Sequence, residues 1–382
     1  MDRAGLTALL RASGCAVERS GAVFLCDPAW SERERAAASA LMDRRAAGVE
    51  AGDDGLGWLG VRTGGSGGGV KFARHDEHTL GAAVRGFCAH FELSRVNAVN
   101  VLPWSHVSGL MAGVRCAMTG GRHVPWDWKR LERGELPSLD PAVGDDWVLS
   151  LVPTQLQRLL LQPATVAWLR AFRVIFLGGG PIWPGLAEAA AQARLPVSIS
   201  YGLTETAAMV AALSPAEFLA GERSCGRALP HANLSVTADG LVRVAGESVF
   251  RGYWPDWSAA RVVTTEDRGT IDAAGRVHLH GRRDALIISG GKKIAPAEVE
   301  AALRASGEFD DVAVIGVPDA EWGEIVVACY PAGSPRAPDP VRAVAGLAAH
   351  QRPKRFVPVV NWPRNAQGKI NRAMLAEQLS AR

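Results

Sequence analysis

The chain has 382 residues, of which 48% are hydrophobic and 21% charged, so it can bury a large core and is not globally disordered. Lys and Arg total 42 against 39 Asp and Glu, and this balance argues against a nucleic-acid or membrane-surface binder. The six cysteines form no C-x-x-C pair and no metal-ligand spacing, which indicates reduced thiols and a cytoplasmic protein. No apolar run approaches the roughly 20 residues that a membrane-spanning helix needs.

Helices and strands alternate along the first part of the chain. Ser31 and Glu34 have the spacing of a capping box and predict the start of a helix. Strands are predicted at GWLGVRT, AVNVLPW, FRVIFL and VSISYG, and helices at TLGAAVRGFCAHFEL, PTQLQRLLLQP and PGLAEAAAQARL. This alternation predicts an α/β fold with a largely parallel sheet covered by helices. Ligands of such folds bind outside the carboxyl ends of the strands.

The pattern changes after about Gly240 to short strands joined by turns, and Asp272 and Gly275 mark a hairpin turn between two of them. From Arg282 onwards we predict a small α+β unit. Its helices are predicted at PAEVEAALRAS, VRAVAGLAAH and RAMLAEQL, and its strands at DVAVIGV, EIVVACY and RFVPVVNW. The sequence therefore predicts two domains, residues 1–281 and residues 282–382.

A glycine-rich segment, RTGGSGGGVK at residues 62–71, allows three interpretations. A Walker phosphate loop is not among them, because the Gly-Lys-Ser/Thr ending is missing. The segment matches the G-x-S-x-G pattern of a nucleophile elbow around Ser66, but an elbow requires a helix that starts at the serine. A plain linker would be unusual between a strand and a helix of one domain. We favour an anion cradle, in which backbone N–H groups, the Thr63 and Ser66 hydroxyls and the Lys71 ammonium bind phosphate.

Seven segments resemble, in order, the motifs of the adenylate-forming superfamily, which includes acyl-CoA synthetases, peptide-synthetase adenylation domains and firefly luciferases. The segments are Thr63–Lys71, LPWSHVSGL (102–110), LGGGPIWPGL (177–186), SYGLTETA (200–207), TTEDRG (264–269), GRRDALIISGGKKIAPAEVE (281–300) and PRNAQGKINR (363–372). The resemblance implies a large N-terminal α/β domain of mostly parallel sheets, followed by a small α+β lid domain that reorients. It also implies an enzyme that uses ATP, Mg²⁺ and coenzyme A to convert a carboxylic acid to an acyl-adenylate and then to a thioester.

Two departures from the family pattern stand out. About 60 residues precede the glycine-rich segment, where full-length relatives carry a longer N-terminal subdomain, so we expect a trimmed large domain. Within the segment, Gly64 and Gly67 replace the usual Ser and Thr, and Val70 replaces Pro. We expect a loop that makes fewer hydroxyl contacts to ATP.

The resemblance assigns the nucleotide contacts. Those to phosphate fall on Thr63, Gly64, Gly65, Ser66, Gly67, Gly68 and Lys71, and those to adenine on Gly178, Gly179, Gly180, Pro181, Ser200, Tyr201 and Gly202. Asp267 and Arg282 would bind the ribose, and Asp284 matches the hinge position. The Tyr201 ring is suited to stacking on adenine, although a core position is the alternative. For Asp267 the alternative is a turn aspartate before Gly269.

The resemblance also assigns the chemical step to Lys369, Thr204, Glu205 and His106. Thr204 can donate to a phosphate, and Glu205 can bind Mg²⁺, which prefers few carboxylates together with phosphate oxygens and water. The alternative for Glu205 is a charge at a helix N-terminus. Lys369 lies in the loop NAQGK, where a long flexible side chain can bridge carboxylate and α-phosphate oxygens. A surface lysine is the alternative.

The acid pocket is predicted to contain His106, Ser108, Thr154 and Gly202. Within the superfamily, the segments at 102–110, 150–160, 267–269 and 289–300 resemble a branch whose aromatic acid carries two carboxylates. Such a pocket needs a polar or cationic group beside apolar walls. Ser105, Gln155 and Arg158 are further candidates for that group.

Several alternatives remain open at this point. They are a ligase for another aryl or medium-chain acid, an adenylation domain that loads a carrier protein, a serine hydrolase acting through Ser66, and a nucleotide-binding module without catalysis. The expected partners are small molecules: the acid, ATP and CoA. Neither nucleic acid nor a membrane span is expected, and a homo-oligomer is left open.

Overall fold

The computed structural model describes residues 1–44, 57–64, 70–140, 142, 144, 146–333, 338–364 and 370–380. The chain divides into two compact units with an α/β fold of mixed sheets and helices. Unit one comprises Met1–Gly180, Glu188–Thr265 and Gly269–Leu279, and unit two comprises Pro181–Ala187, Glu266–Arg268 and His280–Arg382. None of the helices in the described ranges has the length and apolar character that crossing a bilayer requires. All six cysteines are free thiols.

A four-stranded sheet opens unit one. Its elements in chain order are α1 (Arg3–Ala12), β1 (Ala16–Arg19), β2 (Ala22–Leu25), α2 (Glu32–Met42), β3 (Leu59–Gly64), β4 (Val70–His75) and α3 (Glu77–Phe91). The strand order is β1-β2-β3-β4; β2 and β3 are parallel, and the two outer pairs are antiparallel. The expected capping box of α2 is confirmed, since Ser31 Oγ accepts from the Glu34 amide at 3.2 Å and Glu34 Oε2 accepts from the Ser31 amide at 3.0 Å.

The glycine-rich segment therefore connects two antiparallel strands. The helix predicted at TLGAAVRGFCAHFEL is confirmed as α3, which begins at Glu77, but the sequence analysis did not predict the strand that VKFARH forms between the segment and this helix. The side chains of β4 do not alternate between buried and exposed, because its last four residues are buried on both faces of the strand. A nucleophile elbow requires a strand–turn–helix connection, and the element that begins at Val70 is a strand, which argues against the hydrolase alternative.

A seven-stranded sheet forms the centre of unit one. The elements in this part of the chain are β5 (Asn97–Asn100), α4 (Val107–Thr119), β6 (His123–Pro125), α5 (Trp128–Glu132), β7 (Trp147–Leu151), α6 (Pro153–Leu159), α7 (Pro163–Leu169), β8 (Val174–Leu177), α8 (Pro184–Gln192), β9 (Val197–Leu203), β10 (Ala208–Ala212), α9 (Pro215–Leu219) and β11 (Arg227–Ala228); the start of α8, up to Ala187, belongs to unit two. The order is β11-β10-β9-β8-β7-β5-β6. The five neighbouring strands β6, β5, β7, β8 and β9 are parallel, which confirms the predicted parallel sheet. Strands β10 and β11 add antiparallel pairs.

A third sheet follows, with the order β12-β13-β14-β15. Its strands are β12 (Ala232–Val236), β13 (Leu241–Gly246), β14 (Val262–Ile271) and β15 (Val277–Arg282). The predicted hairpin turn lies between β14 and β15, where the Gly275 amide donates to the Asp272 carbonyl at 2.9 Å. Gly275 has φ +77, a conformation that glycine adopts without a Cβ penalty.

Unit two is built around a small sheet with a helix on each face. Its elements are β16 (Ile287–Ser289), β17 (Lys292–Ile294), α10 (Pro296–Ala305), β18 (Ala313–Asp319), β19 (Gly323–Pro331), α11 (Pro340–Ala343), β20 (Arg355–Val359) and α12 (Arg372–Ser380). Because strand side chains alternate, Val314 packs with Leu303 of α10 and Ile315 packs with Leu375 of α12. The helix predicted at VRAVAGLAAH ends early, at Ala343, and the glycine at 346 disfavours its continuation.

Candidate active site

Four of the predicted motifs meet at one edge of the seven-stranded sheet. His106 and Ser108 follow β5, Thr154 follows β7, Gly178–Gly180 follow β8, and Thr204 and Glu205 follow β9. These four strands are neighbours and run parallel. Segments that follow neighbouring parallel strands lie side by side, so the fold brings together residues that are distant in the sequence.

Glu205 connects this edge to the glycine-rich segment. It lies in a single 3₁₀ turn, Thr204–Thr206, directly after β9, and it is only 9% exposed. Its Oε1 accepts hydrogen bonds from Thr63 Oγ1 at 2.9 Å and from the Tyr253 hydroxyl at 2.8 Å. Its main-chain carbonyl accepts from the Phe250 amide at 2.9 Å. The carboxylate is thus fixed beside the first residue of the predicted phosphate loop.

His75 fixes the same turn from another side. It is fully buried at the end of β4, with Nε2 2.7 Å from the Thr204 carbonyl oxygen and Nδ1 3.1 Å from Thr79 Oγ1. Burial lowers the pKa of His75, so the ring is neutral at pH 7. A carbonyl only accepts, and Nε2 therefore carries the proton. Neither the Thr204 hydroxyl nor Glu205 Oε2 has a hydrogen-bond partner among the residues that the structure describes.

The surroundings of Glu205 suit a divalent cation that arrives with a nucleotide. One carboxylate oxygen is held by two donors, and the other is available as a ligand. In the described part of the chain no cluster of three or more His, Cys, Asp or Glu side chains could form an all-protein metal cage. Mg²⁺ commonly takes one or two carboxylates and completes its shell with phosphate oxygens and water. The residues present therefore fit Mg²⁺ bound together with a polyphosphate.

The two ends of the glycine-rich segment face each other. Thr63 of β3 is paired with Lys71 of β4 in the strand register. Thr63 is buried, whereas Lys71 is exposed and its Nζ lies 5.3 Å from the centroid of the Tyr253 ring. Gly64 is the last residue of β3. The predicted contacts at Gly65, Ser66, Gly67 and Gly68 lie outside the described residues.

The predicted adenine residues have structural reasons for being where they are. A Cβ on Gly178 would lie 2.9 Å from Ser200 Oγ, and a Cβ on Gly202 would lie 1.9 Å from the Ala208 carbonyl of the neighbouring strand. The close approach at Gly202 is thus to β10. Tyr201 is 6% exposed and packs in the core with Val210, which is the alternative that the sequence left open. Stacking of Tyr201 on adenine stays a prediction.

The predicted acid pocket begins at α4. His106 is the N-cap residue of this helix and makes no side-chain capping bond. Its Nε2 lies 3.9 Å from Oδ2 of Asp27, a buried carboxylate in the loop after β2. The sequence analysis did not single out Asp27, because the residues on either side of it form no motif that indicates a pairing with His106. Ser108 and Thr154 are half-buried at the starts of α4 and α6.

The further candidates for holding a second carboxylate differ in their surroundings. Gln155 is buried and its side-chain oxygen accepts from the Val152 amide at 3.0 Å, so it caps α6. Arg158 forms an ion pair with Glu132 of α5. Ser105 is 1% exposed, and its hydroxyl has no hydrogen-bond partner among the described residues. Of these three side chains, only that of Ser105 forms neither a hydrogen bond nor an ion pair in the part of the chain that the structure describes.

In unit two, the predicted ribose and hinge residues contact one another. Arg282 donates two hydrogen bonds to Asp284, from Nε at 2.8 Å and from Nη2 at 2.7 Å. Its Nη1 lies 3.4 Å from Asp267 Oδ1. These bonds to Asp284 raise the pKa of Arg282 further. Pro181, predicted to lie against adenine, belongs to this unit as well.

Lys369 lies outside the described residues, but both flanks of its segment are anchored in unit two. Arg364 forms an ion pair with Asp311, and its backbone forms an antiparallel β-bridge with Ile370. On the other flank, Arg372 Nη2 donates to Oε1 of the buried Glu300 at 2.6 Å.

The chain belongs to the AMP-binding enzyme family. The family model for AMP-binding enzymes matches residues 63–254, and the model for their C-terminal domain matches residues 298–369. The expected superfamily and fold class are thereby confirmed. The two matches cover the strands that form the site edge and the segment that contains Lys369.

Among individual relatives, the chain is similar to 2-succinylbenzoate–CoA ligase of Geobacillus kaustophilus, with 32% identity over 300 residues, 72% of this chain and 59% of the relative. It is 31% identical over 297 residues to indoleacetate–CoA ligase of Aromatoleum aromaticum, covering 72% of this chain and 58% of that enzyme. The chain thus spans about three fifths of the length of these curated relatives. A solved structure of o-succinylbenzoate-CoA synthetase from Bacillus subtilis, in complex with the acyl-adenylate intermediate OSB-AMP, has a TM-score of 0.71 and 25% identity, covering 93% of this chain and 78% of that one.

Proposed function

We propose that the protein is an ATP-dependent acid–CoA ligase that forms AMP, and that its acid is o-succinylbenzoate, as in menaquinone or phylloquinone biosynthesis. The observation that carries this proposal is the hydrogen bond between Thr63 and Glu205, at 2.9 Å. It joins the predicted phosphate loop to the carboxylate at the site edge of the parallel sheet. The names of the relatives support the choice of acid.

The reaction has two halves. A carboxylate oxygen of the acid attacks the α-phosphorus of ATP, the bond from that phosphorus to the bridging oxygen breaks, and pyrophosphate leaves. The sulfur of CoA then attacks the acyl carbon, its proton is lost to solvent, and AMP leaves with the former carboxylate oxygen. The main obstacle in the first half is the repulsion between two anions, which fixed donors and cations reduce.

The roles of the site residues follow from this chemistry. Lys71, Thr204 and the N–H groups of the glycine-rich segment hold the phosphates, and Glu205 holds Mg²⁺. When bound, Mg²⁺ neutralises charge on the phosphate oxygens and on the leaving pyrophosphate. Asp267 and Arg282 bind the ribose, and the segment from Gly178 to Pro181 lies against adenine. His106, Ser108 and Thr154 line the acid pocket.

The remaining roles belong to unit two. Lys369 bridges the carboxylate and the α-phosphate in the first half. Unit two then turns about Asp284, so that Lys369 leaves and CoA enters for the second half. The pairing of Arg282 with both Asp284 and Asp267 supports a link between the ribose contact and the hinge, because a turn at Asp284 would change the donors available to Asp267.

A ligase for another aryl acid is the second candidate, and the similarity to indoleacetate–CoA ligase favours it. A panel of acids separates the two. Pyrophosphate release and thioester mass are measured with o-succinylbenzoate, indoleacetate, benzoate and octanoate, each with ATP, Mg²⁺ and CoA. We expect o-succinylbenzoate to exceed benzoate by about 10²-fold or more in kcat/KM, since a pocket that binds a second carboxylate rejects acids that lack one. Faster turnover of indoleacetate would support the second candidate, and release that is independent of acid would contradict both.

A further inference from the structure

Tyr253 is the residue of the site that the sequence analysis did not use. The segment around it runs antiparallel along β4: Tyr253 bridges Ala73, and the Trp254 amide donates to the Phe72 carbonyl at 2.9 Å. Residues that face each other across such a pair project their side chains to the same face. Tyr253 therefore shares a face with Ala73 and, two residues earlier on β4, with Lys71. Thr63, opposite Lys71, completes the row.

The hydroxyl of Tyr253 and that of Thr63 bind the same oxygen of Glu205. Their distances to Oε1 are 2.8 Å and 2.9 Å. A carboxylate only accepts hydrogen bonds, so both hydroxyls are donors. Two donors on one oxygen fix the plane of the carboxylate, and they leave Oε2 without a partner in the described part of the chain. The two oxygens of Glu205 thus differ in their hydrogen bonding.

The ring of Tyr253 also lies against Lys71. The ammonium nitrogen is 5.3 Å from the ring centroid, within the range of a cation–π interaction. No ion pair within 4.0 Å joins Lys71 to Glu205 in the described residues, although both lie beside Tyr253. A direct ion pair between Lys71 and Glu205 would neutralise the carboxylate that the divalent cation requires as a ligand. Tyr253 thus contacts the two charged groups through different parts of its side chain, Glu205 through the hydroxyl and Lys71 through the ring.

We infer that Tyr253 is a positioning residue, which orients Glu205 so that Oε2 faces the divalent cation of the nucleotide and which keeps Lys71 apart for the phosphates. This inference rests on the proposed function, because it needs a metal–nucleotide complex at Glu205. A tyrosine that is merely structural would stabilise the protein without any specific effect on the cation.

The test measures ATP binding by calorimetry in the absence of acid, once with excess Mg²⁺ and once with EDTA. Tyr253→Phe removes only the hydroxyl and keeps the ring. We expect about a tenfold weaker Kd for ATP with Mg²⁺, the size of one lost hydrogen bond to a charged group, and a Kd within about twofold of the wild type in EDTA. Tyr253→Leu also removes the ring, and we expect it to weaken binding in EDTA as well.

Tyr330→Phe is the matched control. Tyr330 is another half-buried tyrosine, lies in unit two against Phe309, and is expected to show wild-type binding under both conditions when changed. If Tyr253→Phe does not fold, Thr63→Val removes the other donor to the same oxygen. Because the Thr63 hydroxyl donates its one proton to Glu205 and not to phosphate, this variant should give the same Mg²⁺-selective loss. For Tyr253→Phe, an unchanged Kd for ATP, or equal weakening of the Kd with Mg²⁺ and with EDTA, would overturn the inference. If the wild type binds no ATP, the proposed function fails instead, and the two failures are distinguishable.

Discussion

Replacing Lys369 by alanine is expected to lower the rate of acyl-adenylate formation by about 10²–10³-fold, while thioester formation from supplied acyl-adenylate largely persists. The physical reason is that the ammonium acts only where carboxylate and α-phosphate approach each other. Once pyrophosphate has left, the acyl carbon is attacked by a thiol, and the repulsion that Lys369 offsets no longer exists. The two halves of the reaction should therefore respond differently to the same change.

The experiment measures each half separately. Pyrophosphate release reports the first half, and AMP release from chemically prepared o-succinylbenzoyl-adenylate with CoA reports the second. Lys129→Ala is the control, because Lys129 is an exposed lysine on α5 of unit one. Equal losses in both halves would contradict a role confined to adenylation and would argue against the turn of unit two about Asp284.

Replacing Glu205 by glutamine is the second change with a large expected effect. The amide oxygen can still accept from Thr63 and Tyr253, so we expect the fold of the site to be retained. The charge that attracts Mg²⁺ is lost, and adenylate formation at millimolar Mg²⁺ should fall by about 10²–10³-fold. Since the lost contact is to the cation, part of the rate should return when the Mg²⁺ concentration is raised.

The measurement is pyrophosphate release as a function of Mg²⁺ concentration, with circular dichroism to check folding. Glu188→Gln provides the control, since Glu188 is an exposed glutamate on α8. A variant with a wild-type dependence on Mg²⁺ would show that Glu205 does not bind the cation. In that case the alternative of a structural charge at the end of β9 would be correct.

The fold was predictable where local patterns and burial agree. Alternating helices and apolar strands gave the parallel arrangement from β6 to β9, and the Ser31 capping box gave the start of α2. What the sequence could not supply was the strand β4 after the glycine-rich segment. In VKFARH the polar residues Lys71, Arg74 and His75 fall on both faces of the strand, so no apolar face marks it in the sequence. Its polar groups are satisfied by distant partners: Arg74 donates to the Pro255 carbonyl at 3.1 Å, and His75 to the Thr204 carbonyl.

The motifs predicted which segments the fold would bring to one edge of the sheet, because motifs carry local information, but they did not predict the contacts between those segments. Thr63 and Glu205 were each assigned from their own segments, and their hydrogen bond depends on how β3 packs against the turn after β9. Tyr253 and Asp27 have no motif that distinguishes them from core or loop residues. A partial signal existed for the ion pair of Asp76 with Arg251, at 2.9 Å, since Asp76 precedes an apolar helix as an N-cap residue. Its buried partner could be found only from the fold.

In the proposed reaction, this chain directs a carboxylate onto the α-phosphorus of ATP. Isotope transfer tests this step most directly. The acid is labelled with ¹⁸O in its carboxylates, and the masses of the nucleotide and phosphate products are measured by mass spectrometry after one turnover with ATP, Mg²⁺ and CoA. We expect one labelled oxygen in AMP and none in pyrophosphate, because the oxygen that attacks phosphorus stays with AMP when the thioester forms. Label in inorganic phosphate with release of ADP, or AMP without label, would contradict an attack of the acid on the α-phosphorus.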